Sequence, residues 1–356
     1  MKIGIYDPYL DDCGGGEKYM MTIAQCLSKS HKVSVFWDNV VDFKNVSERF
    51  NLDLSKTSLV PNIFSPKTSF LNRLNQSKKY DVIIFLSDGS IPFVSSKLFL
   101  HMQRPLLHVK LTLFDKLKVR RVHTFFCNSM YTKAYIDKTY NIKSLILYPP
   151  VSVNYKKNKK ENMILHVGRF RVVDKAIGVS DFKKQHVMIQ AFKEMIDHGL
   201  KKWKLVMAVS VKQEDKSEFE YMKKTAGGYP IEFAVNKSNT ELWAYYSKAK
   251  IYWHASGFGE DLEKKPEAAE HFGISTVEAM GAGVVPVVVN AGGQKEIVTD
   301  GENGLLWSTL AELIEVTLIL ISSQETLREL SENAQKRASD FSLENFEKKL
   351  TSIMVK

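Results

Sequence analysis

Short runs of β-branched and aromatic residues alternate with amphipathic stretches along most of this chain. In the first half, apolar runs typical of buried strands cover Ile3–Tyr6, Val33–Trp37, Val82–Leu86, Leu98–His101 and Thr124–Cys127. The spacing of apolar residues predicts helices over Glu17–Leu27 and Tyr131–Tyr140. Strands that alternate with helices favour parallel sheets covered on both faces.

A break in this pattern falls at Tyr148-Pro149-Pro150-Val151, which the polar run Asn154–Asn162 follows. Paired prolines continue neither a helix nor a central strand, so we interpret this segment as a domain linker. The alternation then restarts. It predicts strands over Met163–Val167, Lys204–Val209, Ile251–His254 and Val285–Val289, and helices over Gln185–Ile196, Lys216–Thr225, Thr240–Lys248, from Ser275, and from about Leu310 to Met354.

The expected fold class is therefore α/β, with two Rossmann-like domains whose parallel sheets face a central cleft. The first domain spans residues 1–150 and the second spans residues 151–340. Residues 341–356 are expected to form a terminal helix that packs back toward the first domain. Ligands of such sheets bind outside the carboxyl ends of the strands.

Composition adds few constraints. Hydrophobic residues make up 44% and charged residues 25% of the 356 residues, as in ordinary globular proteins. We see no secretory leader at the start and no apolar run near the roughly 20 residues that span a bilayer. The three cysteines, Cys13, Cys26 and Cys127, lack metal-like spacing and favour free thiols in a reducing compartment. The expected location is cytoplasmic, with the option of peripheral attachment to the inner face of a membrane.

The net charge of +10 is concentrated in one half of the chain. Residues 1–150 hold 21 Lys and Arg against 12 Asp and Glu, whereas residues 151–356 hold 29 against 28. A basic excess of this kind attracts phosphates, nucleic acid or an anionic membrane. A solvated lysine-rich face is an equally good interpretation.

The most informative segment runs from Glu270 to Gly283 and contains two glutamates, Glu270 and Glu278, separated by seven residues. Backbone amides of Phe272-Gly273-Ile274 are placed to meet an anion at a helix N-terminus. Glu278, one turn inside the helix, can accept hydrogen bonds from two adjacent hydroxyls such as a ribose diol. The turn at Gly292-Gly293, after the next strand, exposes further backbone amides.

With its Gly-Gly turn and Asp300-Gly301-Glu302-Asn303-Gly304, this segment resembles the signature of glycosyltransferase family 4, retaining enzymes of the GT-B fold. The resemblance covers nearly the whole chain. Further matching segments are Gly14-Gly15-Gly16-Glu17, Asn128-Ser129, Tyr148-Pro149-Pro150-Val151, and Val167-Gly168-Arg169-Phe170 with Lys183-Lys184.

The resemblance implies a role for each matching position. Glu278 would hold the donor ribose, while Glu270 and the backbone of Phe272, Gly273 and Ile274 would contact the transferred sugar and its phosphate. Arg169 and Lys183 would neutralise the diphosphate. The resemblance also implies donor contacts for Gly15, Gly16 and His101. Gly293 in the second glycine turn and Lys184, which stands where the family commonly has a glycine, are further candidates for the donor site.

The implied chemistry needs no metal. Cleavage of a sugar–phosphate bond leaves negative charge on the diphosphate, and two cations with a helix N-terminus stabilise that charge directly. The chain has no Asp-x-Asp motif, so we expect a metal-independent enzyme without a cofactor. The family favours front-face displacement, in which the leaving phosphate helps to deprotonate the acceptor.

Several points stay open at this stage. Arg169 and Lys183 are 14 positions apart, an unusually long spacing, and Lys175, Lys183 and Lys184 all remain candidates for the diphosphate ligand. His101 is a lone histidine at a strand end, where a structural role is the alternative. The loop at residues 257–269 is either a flap over the donor or inert.

The first half would bind the acceptor. Its middle interleaves basic and apolar residues: Lys67, Arg73, Lys78, Lys79, Lys97, Arg104, Lys110, Lys116, Lys118, Arg120 and Arg121, with Phe70, Leu71, Leu74, Leu106, Leu107, Leu111, Leu113 and Phe114. Such a surface suits an anionic membrane and a glycan or lipid-linked acceptor. The alternative is a soluble acceptor.

The donor is a nucleotide sugar, and Glu270-His271-Phe272-Gly273 resembles mannosyltransferases that use GDP-mannose, with a UDP-sugar as the next choice. Two other classes of protein compete with this interpretation. One is a sugar-nucleotide epimerase on the same fold. The other is a basic nucleic-acid-binding protein, which is disfavoured because no zinc, RNA-recognition or helix-turn-helix signature is present.

Overall fold

The structure is a computed structural model that describes residues 1–12, 14–107, 109, 111–153, 158–174 and 179–355. The chain divides into two compact units. Unit 1 contains Met1–Pro150 and Leu343–Lys356, and unit 2 contains Val151–Ser342.

Unit 1 is built on a seven-stranded sheet in which every neighbouring pair of strands is parallel. Its strands are β1 (Lys2–Tyr6), β2 (Lys32–Phe36), β3 (Thr57–Val60), β4 (Val82–Ser87), β5 (Lys97–Met102), β6 (Val122–Cys127) and β7 (Leu145–Ile146). Their spatial order is β3-β2-β1-β4-β5-β6-β7. All six residues of β4 are buried, as expected for a central strand covered by helices on both faces.

Five helices of unit 1 connect these strands: α1 (Gly15–Ser28), α2 (Val40–Phe50), α3 (Phe70–Ser77), α4 (Leu113–Arg121) and α5 (Met130–Tyr140). Side-chain caps start several of them. Ser69 accepts from the amide of Asn72 at the start of α3, and Thr112 forms a reciprocal capping box with Asp115 at the start of α4. α3 and α4 are therefore fixed by local sequence, although both bury few residues.

Unit 2 carries a six-stranded parallel sheet and a short antiparallel pair. Its strands are β8 (Met163–Phe170), β9 (Val173–Asp174), β10 (Val179–Ser180), β11 (Lys204–Val211), β12 (Ile231–Val235), β13 (Ile251–His254), β14 (Val285–Val289) and β15 (Leu305–Trp307). The order in the large sheet is β12-β11-β8-β13-β14-β15. The pair β9–β10 lies in the long segment that separates Arg169 from Lys183.

Seven helices of unit 2 pack on this sheet: α6 (Gln185–Asp197), α7 (Lys216–Thr225), α8 (Asn239–Lys248), α9 (Ile274–Gly281), α10 (Gln294–Ile297), α11 (Leu310–Ser322) and α12 (Gln324–Ala338). A buried hydrophobic core joins Phe192 of α6, Trp253 of β13 and Leu313 of α11. The indole of Trp253 donates to the hydroxyl of Thr317 at 3.1 Å, so its buried N–H is satisfied.

Each sheet has one point where the order of its strands reverses. In unit 1 the chain runs from β1 outward to β3 and returns on the other side of β1 as β4. In unit 2 it runs from β8 outward to β12 and returns beside β8 as β13. The two crossovers at such a point leave in opposite directions and open a crevice at the carboxyl ends of the two strands.

The last described helix, α13 (Leu343–Met354), belongs to unit 1 and not to the unit that precedes it in sequence. Its apolar face buries Phe346, Leu350 and Ile353 in the core that also holds Ile3 and Ile5 of β1. The predicted helical stretch from Leu310 to Met354 is thus three separate α-helices, which are interrupted at Ser323 and again by a 3₁₀ turn over Ser339–Phe341.

We expect Leu350→Ala to destabilise unit 1 by about 2–5 kcal/mol, since Leu350 is 2% exposed and its removal leaves a cavity in that core. Urea unfolding measures this change in stability, and hydrogen exchange of the amides in β1 and β4 shows that it affects unit 1. Ser352→Ala, on the exposed face of the same helix, is the control and should be neutral. Equal protection of β1 and β4 in all three proteins would contradict the assignment of α13 to unit 1.

Candidate functional site

The carboxylate of Glu270 is the centre of a polar cluster at the reversal point of the unit 2 sheet. Its Oε2 accepts from the ammonium of Lys183 and from Nε2 of His254, the latter at 2.9 Å. His254 is the last residue of β13 and is fully buried. Lys183 precedes α6 and is 14% exposed, so both partners hold the carboxylate in a largely dry environment.

Burial alone would raise the pKa of Glu270, but the Lys183 ammonium and the His254 hydrogen bond outweigh it and hold that pKa well below its ordinary value. Burial is also the main reason that the pKa of His254 is lowered, although Glu270 opposes the shift. His254 is therefore a neutral imidazole. Because an ionised carboxylate only accepts, Nε2 of His254 carries the proton.

Glu278, the second glutamate of the motif, lies in the second turn of α9 and is half-buried. Its Oε2 accepts from the phenol of Tyr246 on α8 at 3.0 Å. Burial, together with the charge of Glu278, raises the pKa of Tyr246 well above its ordinary value, so the phenol stays protonated and donates. The buried ring of Tyr246 thereby fixes the direction in which the Glu278 carboxylate points.

The N-terminus of α9 is held close to the second glycine turn. Gly273 begins the helix with φ at 117°, a conformation that side chains disfavour, and no side chain caps its first amides. Gly293 donates its amide to the carbonyl of Glu270 at 2.7 Å. A Cβ on Gly293 would lie 2.5 Å from the carbonyl of His271, so the turn approaches the motif loop more closely than any side chain would allow.

Two other side chains of the motif have different surroundings. Phe272 is buried and packs edge-on against Phe341, with ring centroids 5.3 Å apart. Its side chain thus anchors the loop in the core, and only its backbone is placed to contact a ligand. Ile274, the first residue of α9, is half-exposed.

The two adjacent lysines that precede α6 have separate partners. Lys184 adopts a left-handed backbone conformation with φ at 51° and pairs with Glu260 of the loop at residues 257–269, at 2.5 Å. Lys183 faces Glu270 instead. Lys175 lies outside the described residues. The geometry therefore brings Lys183 into the cluster with the motif glutamate and ties Lys184 to the neighbouring loop.

Arg169 lies near the end of β8, inside the strand and not after it, because β8 extends to Phe170. Its side chain is exposed, and no ion pair joins it to any of the described residues. The buried side-chain amide of Gln185 donates to the carbonyl of Arg169 at 3.2 Å and fixes the backbone of this residue. A guanidinium in this position can meet an anion at the carboxyl edge of the sheet.

Sequence reasoning did not find His254 and Tyr246 as members of the site. Neither residue is among the site residues that the sequence analysis predicts. They lie on β13 and α8, which precede the motif, 16 and 32 residues from their glutamates. The available signal was a polar side chain at the end of a buried strand.

In unit 1, His101 is fully buried between Tyr19 and Phe126, whose ring centroids are each 4.5 Å from the imidazole. Burial lowers the pKa of His101 to about 3, and Nδ1 is 3.2 Å from the carbonyl of Phe126. Nε2 has no hydrogen-bond partner in the described structure. The neutral ring forms part of the packed core, and its contact with a donor sugar stays a prediction.

Gly15 and Gly16 form the first turn of α1. A Cβ on Gly16 would lie 2.5 Å from the amide oxygen of Gln103, so a larger residue here would displace the end of that side chain. The amide of Gly14 donates to the carboxylate of Glu17, which closes the turn. The contact of these glycines with a donor also stays a prediction.

The family model described as "Glycosyl transferases group 1" matches residues 151–337, which is more than half of the chain and nearly all of unit 2. The match spans both glutamates, Lys183, His254 and Arg169.

Relatives of known name point in the same direction. The chain is 29% identical over 233 residues to a GDP-Man:Man(3)GlcNAc(2)-PP-Dol alpha-1,2-mannosyltransferase from Dictyostelium discoideum. The alignment covers 59% of this chain and 41% of that protein. The chain thus spans less than half the length of that relative. It is 25% identical over 359 residues to a GalNAc-alpha-(1->4)-GalNAc-alpha-(1->3)-diNAcBac-PP-undecaprenol alpha-1,4-N-acetyl-D-galactosaminyltransferase from Campylobacter jejuni, covering 93% of this chain and 92% of that one.

Among solved structures, Anabaena Alr3699/HepE in complex with UDP covers 100% of both chains with a TM-score of 0.75 at 17% identity. This likeness shows the fold, which is GT-B, with two parallel-sheet α/β units. Taken together with the sequence match across unit 2, it shows that this chain belongs to the glycosyl transferases group 1 family.

Proposed function

We propose that the protein is a retaining glycosyltransferase that moves a hexose from a nucleotide-diphosphate sugar to a glycan or lipid-linked acceptor. The observation that carries this proposal is the cluster of Lys183, Glu270 and His254 at the reversal point of the unit 2 sheet, next to the uncapped start of α9. It combines cationic, anionic and amide groups in one crevice. A sugar diphosphate needs all three.

Each group has a defined task in this proposal. The Lys183 ammonium, the exposed Arg169 guanidinium and the first amides of α9 stabilise the negative charge that develops on the leaving diphosphate. Glu270 accepts hydrogen bonds from the transferred sugar, and Glu278 accepts them from the ribose. Since three kinds of positive group serve the diphosphate, we propose that turnover needs no metal.

The base of the donor is proposed to be guanine, with uracil as the second choice. The names of the relatives support both: the Dictyostelium protein is named for GDP-Man, whereas the Anabaena structure contains UDP. The Campylobacter relative is named for an N-acetylgalactosamine transfer. The sugar is therefore best assigned by a direct comparison of donors.

We expect GDP or GDP-mannose to raise the melting temperature, because a ligand that binds only the folded state stabilises it. Glu278→Gln should abolish the increase, and Tyr246→Phe should weaken binding several-fold since the carboxylate loses its fixed orientation. A thermal-shift panel of GDP, UDP, ADP and their sugar conjugates, with and without EDTA, measures both effects.

The chain supplies matched controls on the same helix. Tyr245 donates to Glu232 at 2.9 Å, so Tyr245→Phe and Glu232→Gln remove an equivalent hydrogen bond outside the cluster. Both should bind like the native protein. Loss of the ligand effect in EDTA would overturn metal independence, and equal binding by Glu278→Gln would overturn the assignment of the site.

The Lys183–Glu270 pair predicts a pH dependence of stability. A carboxylate whose folded-state pKa is lowered stabilises the fold above its unfolded pKa of about 4.3, and this contribution is lost as the pH falls through the folded pKa. Lys183→Gln removes the main cause of the lowered pKa. We therefore expect the variant to lose less stability than the native protein on acidification below about pH 4.3.

Melting temperatures of both proteins between about pH 3 and pH 7 measure this difference. Lys223→Gln is the control, because Lys223 forms an exposed pair with Glu220 at 3.0 Å in the same unit. It should follow the native curve. Parallel curves for Lys183→Gln and the native protein would show that the pair does not set the pKa of Glu270.

The acceptor is proposed to bind to unit 1 at an anionic membrane surface. Leu71 and Leu113 are 75% and 81% exposed at the starts of α3 and α4. Between these helices, the ring of Phe93 contacts Phe70 and Phe114, with centroids 6.1 and 5.2 Å apart. We call this set of residues, together with Leu117, the apolar ridge.

Basic residues surround the apolar ridge. The ammonium of Lys118 lies 4.9 Å from the ring centroid of Phe114, and the last turn of α4 also carries Arg120 and Arg121. Exposed leucine and phenylalanine beside lysine and arginine match the boundary between acyl chains and anionic headgroups. Among the described residues, no helix is both long and apolar enough to cross a membrane.

We expect the protein to sediment with vesicles that contain anionic phospholipid and to stay in the supernatant with neutral vesicles, because the basic residues require negative headgroups. The double variant Leu113→Asp, Leu117→Asp should abolish sedimentation. Val40→Asp, Val41→Asp changes an equally exposed apolar pair on α2 and should have no effect. Equal recovery with both kinds of vesicle would reject membrane attachment.

A further inference from the structure

A second crevice lies in unit 1, at the reversal point between β1 and β4. A cavity of about 250 Å³ opens there, with Tyr6 and Phe85 on neighbouring strands in its wall. Phe64, Arg73, Asp88 and Ser90 complete the part of the lining that carries aromatic or polar groups. The cavity thus occupies, in unit 1, the topological position that the Glu270 cluster occupies in unit 2.

Three aromatic rings form one wall of this cavity. The ring centroid of Tyr6 is 4.6 Å from that of Phe64 and 4.8 Å from that of Phe85. Phe85 is buried and packs against the other two rings, which are half-buried. A rigid aromatic surface is a good partner for the C–H face of a sugar ring, because these hydrogens meet the negative face of the π-system.

A cation lies at one edge of the wall. Nε of Arg73 donates to the carbonyl of Ile63 at 3.2 Å, and Cζ lies 5.8 Å from the ring centroid of Phe64. Among the described residues one of its five N–H groups is used, and the guanidinium lies over the ring of Phe64. The remaining N–H groups can donate to hydroxyl or ring oxygens.

A carboxylate also belongs to the lining. Asp88 follows β4, and its Oδ1 accepts from the amide and the hydroxyl of Ser90 at 3.2 and 2.9 Å. These bonds fix the carboxylate. Among the described residues no ion pair joins Arg73 to Asp88, so both charges of the lining are left to a ligand.

The phenol of Tyr6 adds a further donor. Its pKa is raised, first by burial and then by the nearby carboxylates of Asp7 and Asp88, although a hydrogen bond with Asn62 opposes the shift. The phenol thus stays protonated at neutral pH. The cavity combines an apolar wall with a few placed polar groups, which is the usual composition of a small-molecule site.

We infer that this cavity binds a pyranose ring of the acceptor, stacked on Tyr6 and Phe64, with hydroxyls that donate to Asp88 and accept from Arg73. The identification of this sugar as part of the acceptor rests on the proposed glycosyltransferase function. The binding of a sugar ring is argued from the cavity itself. A hydroxyl-rich ring requires both an acceptor and donors at its edges. A purely apolar ligand would leave Arg73 and Asp88 unused.

Saturation-transfer-difference NMR on the full-length protein tests the inference without turnover. The probes are methyl α-D-mannopyranoside and methyl N-acetyl-α-D-galactosaminide, each titrated with and without GDP. The test variants are Tyr6→Leu, Arg73→Gln and Asp88→Asn. Each should weaken glycoside binding by roughly tenfold and leave the GDP-induced increase in melting temperature unchanged.

Matched controls separate the cavity from general effects on unit 1. Arg49→Gln removes a guanidinium whose Cζ also lies 5.8 Å from a phenylalanine ring, that of Phe50 on α2. Tyr135→Leu removes a half-buried tyrosine of α5. Both should bind the glycosides as the native protein does. Asp88→Asn changes an exposed residue, so it tests the cavity even where Tyr6→Leu disturbs the fold.

The outcomes distinguish this inference from the proposed function. No saturation transfer to either glycoside in the native protein, or undiminished transfer in Asp88→Asn and Arg73→Gln, overturns the sugar cavity. Saturation transfer that is present in the native protein and lost in these variants supports the sugar cavity. This holds even when no nucleotide binds, because the lack of nucleotide binding would count against the proposed function alone. Displacement of the glycosides by GDP would show instead that the probes occupy a nucleotide site, and would also overturn it.

Discussion

The carboxyl ends of parallel strands fall at one edge of a sheet, and this constraint decides where each unit can hold a ligand. The sheets reverse their order between β1 and β4 and between β8 and β13. Both crevices open at those pairs of strands. Polar side chains that would be costly elsewhere in a buried sheet, such as His254, are therefore concentrated where the strands end.

Within unit 2, one carboxylate organises the charges. Glu270 keeps the Lys183 ammonium at the crevice, and the hydrogen bond from His254 fixes the orientation of the carboxylate. A bound diphosphate would offer Lys183 a second, more highly charged partner. Because an ammonium carries three N–H groups, Lys183 can contact both anions at once, and in the proposed reaction it would link Glu270 to the leaving diphosphate.

The sequence predicted the long buried strands and the motif helix, because continuous apolar runs and local glycine patterns carry that information. The short strands β3, β12 and β15 were missed, since three to five residues give too little periodicity to recognise. In the site, local motifs pointed to Glu270, Glu278, Arg169 and Lys183. The partners Tyr246 and His254 depend on how α8 and β13 pack beside α9, which no local pattern records.

The choice between Lys183 and Lys184 shows the same limit. Adjacent residues in a regular helix point about 100° apart, but the left-handed backbone of Lys184 sends the two side chains to different carboxylates. That conformation is decided by the start of α6 and by the loop that carries Glu260. The sequence favoured Lys183 but left Lys184 as an alternative.

The assignment of α13 to unit 1 has a consequence for synthesis on the ribosome. The residues that complete the core around β1 emerge only after all of unit 2 has been made. Unit 2 is continuous in sequence and can fold as it emerges, whereas unit 1 must wait with an unfilled groove beside its first helix. Nascent chains of this protein therefore expose an apolar surface from the first half until the last helix arrives, and chaperones have the whole of that interval in which to bind it.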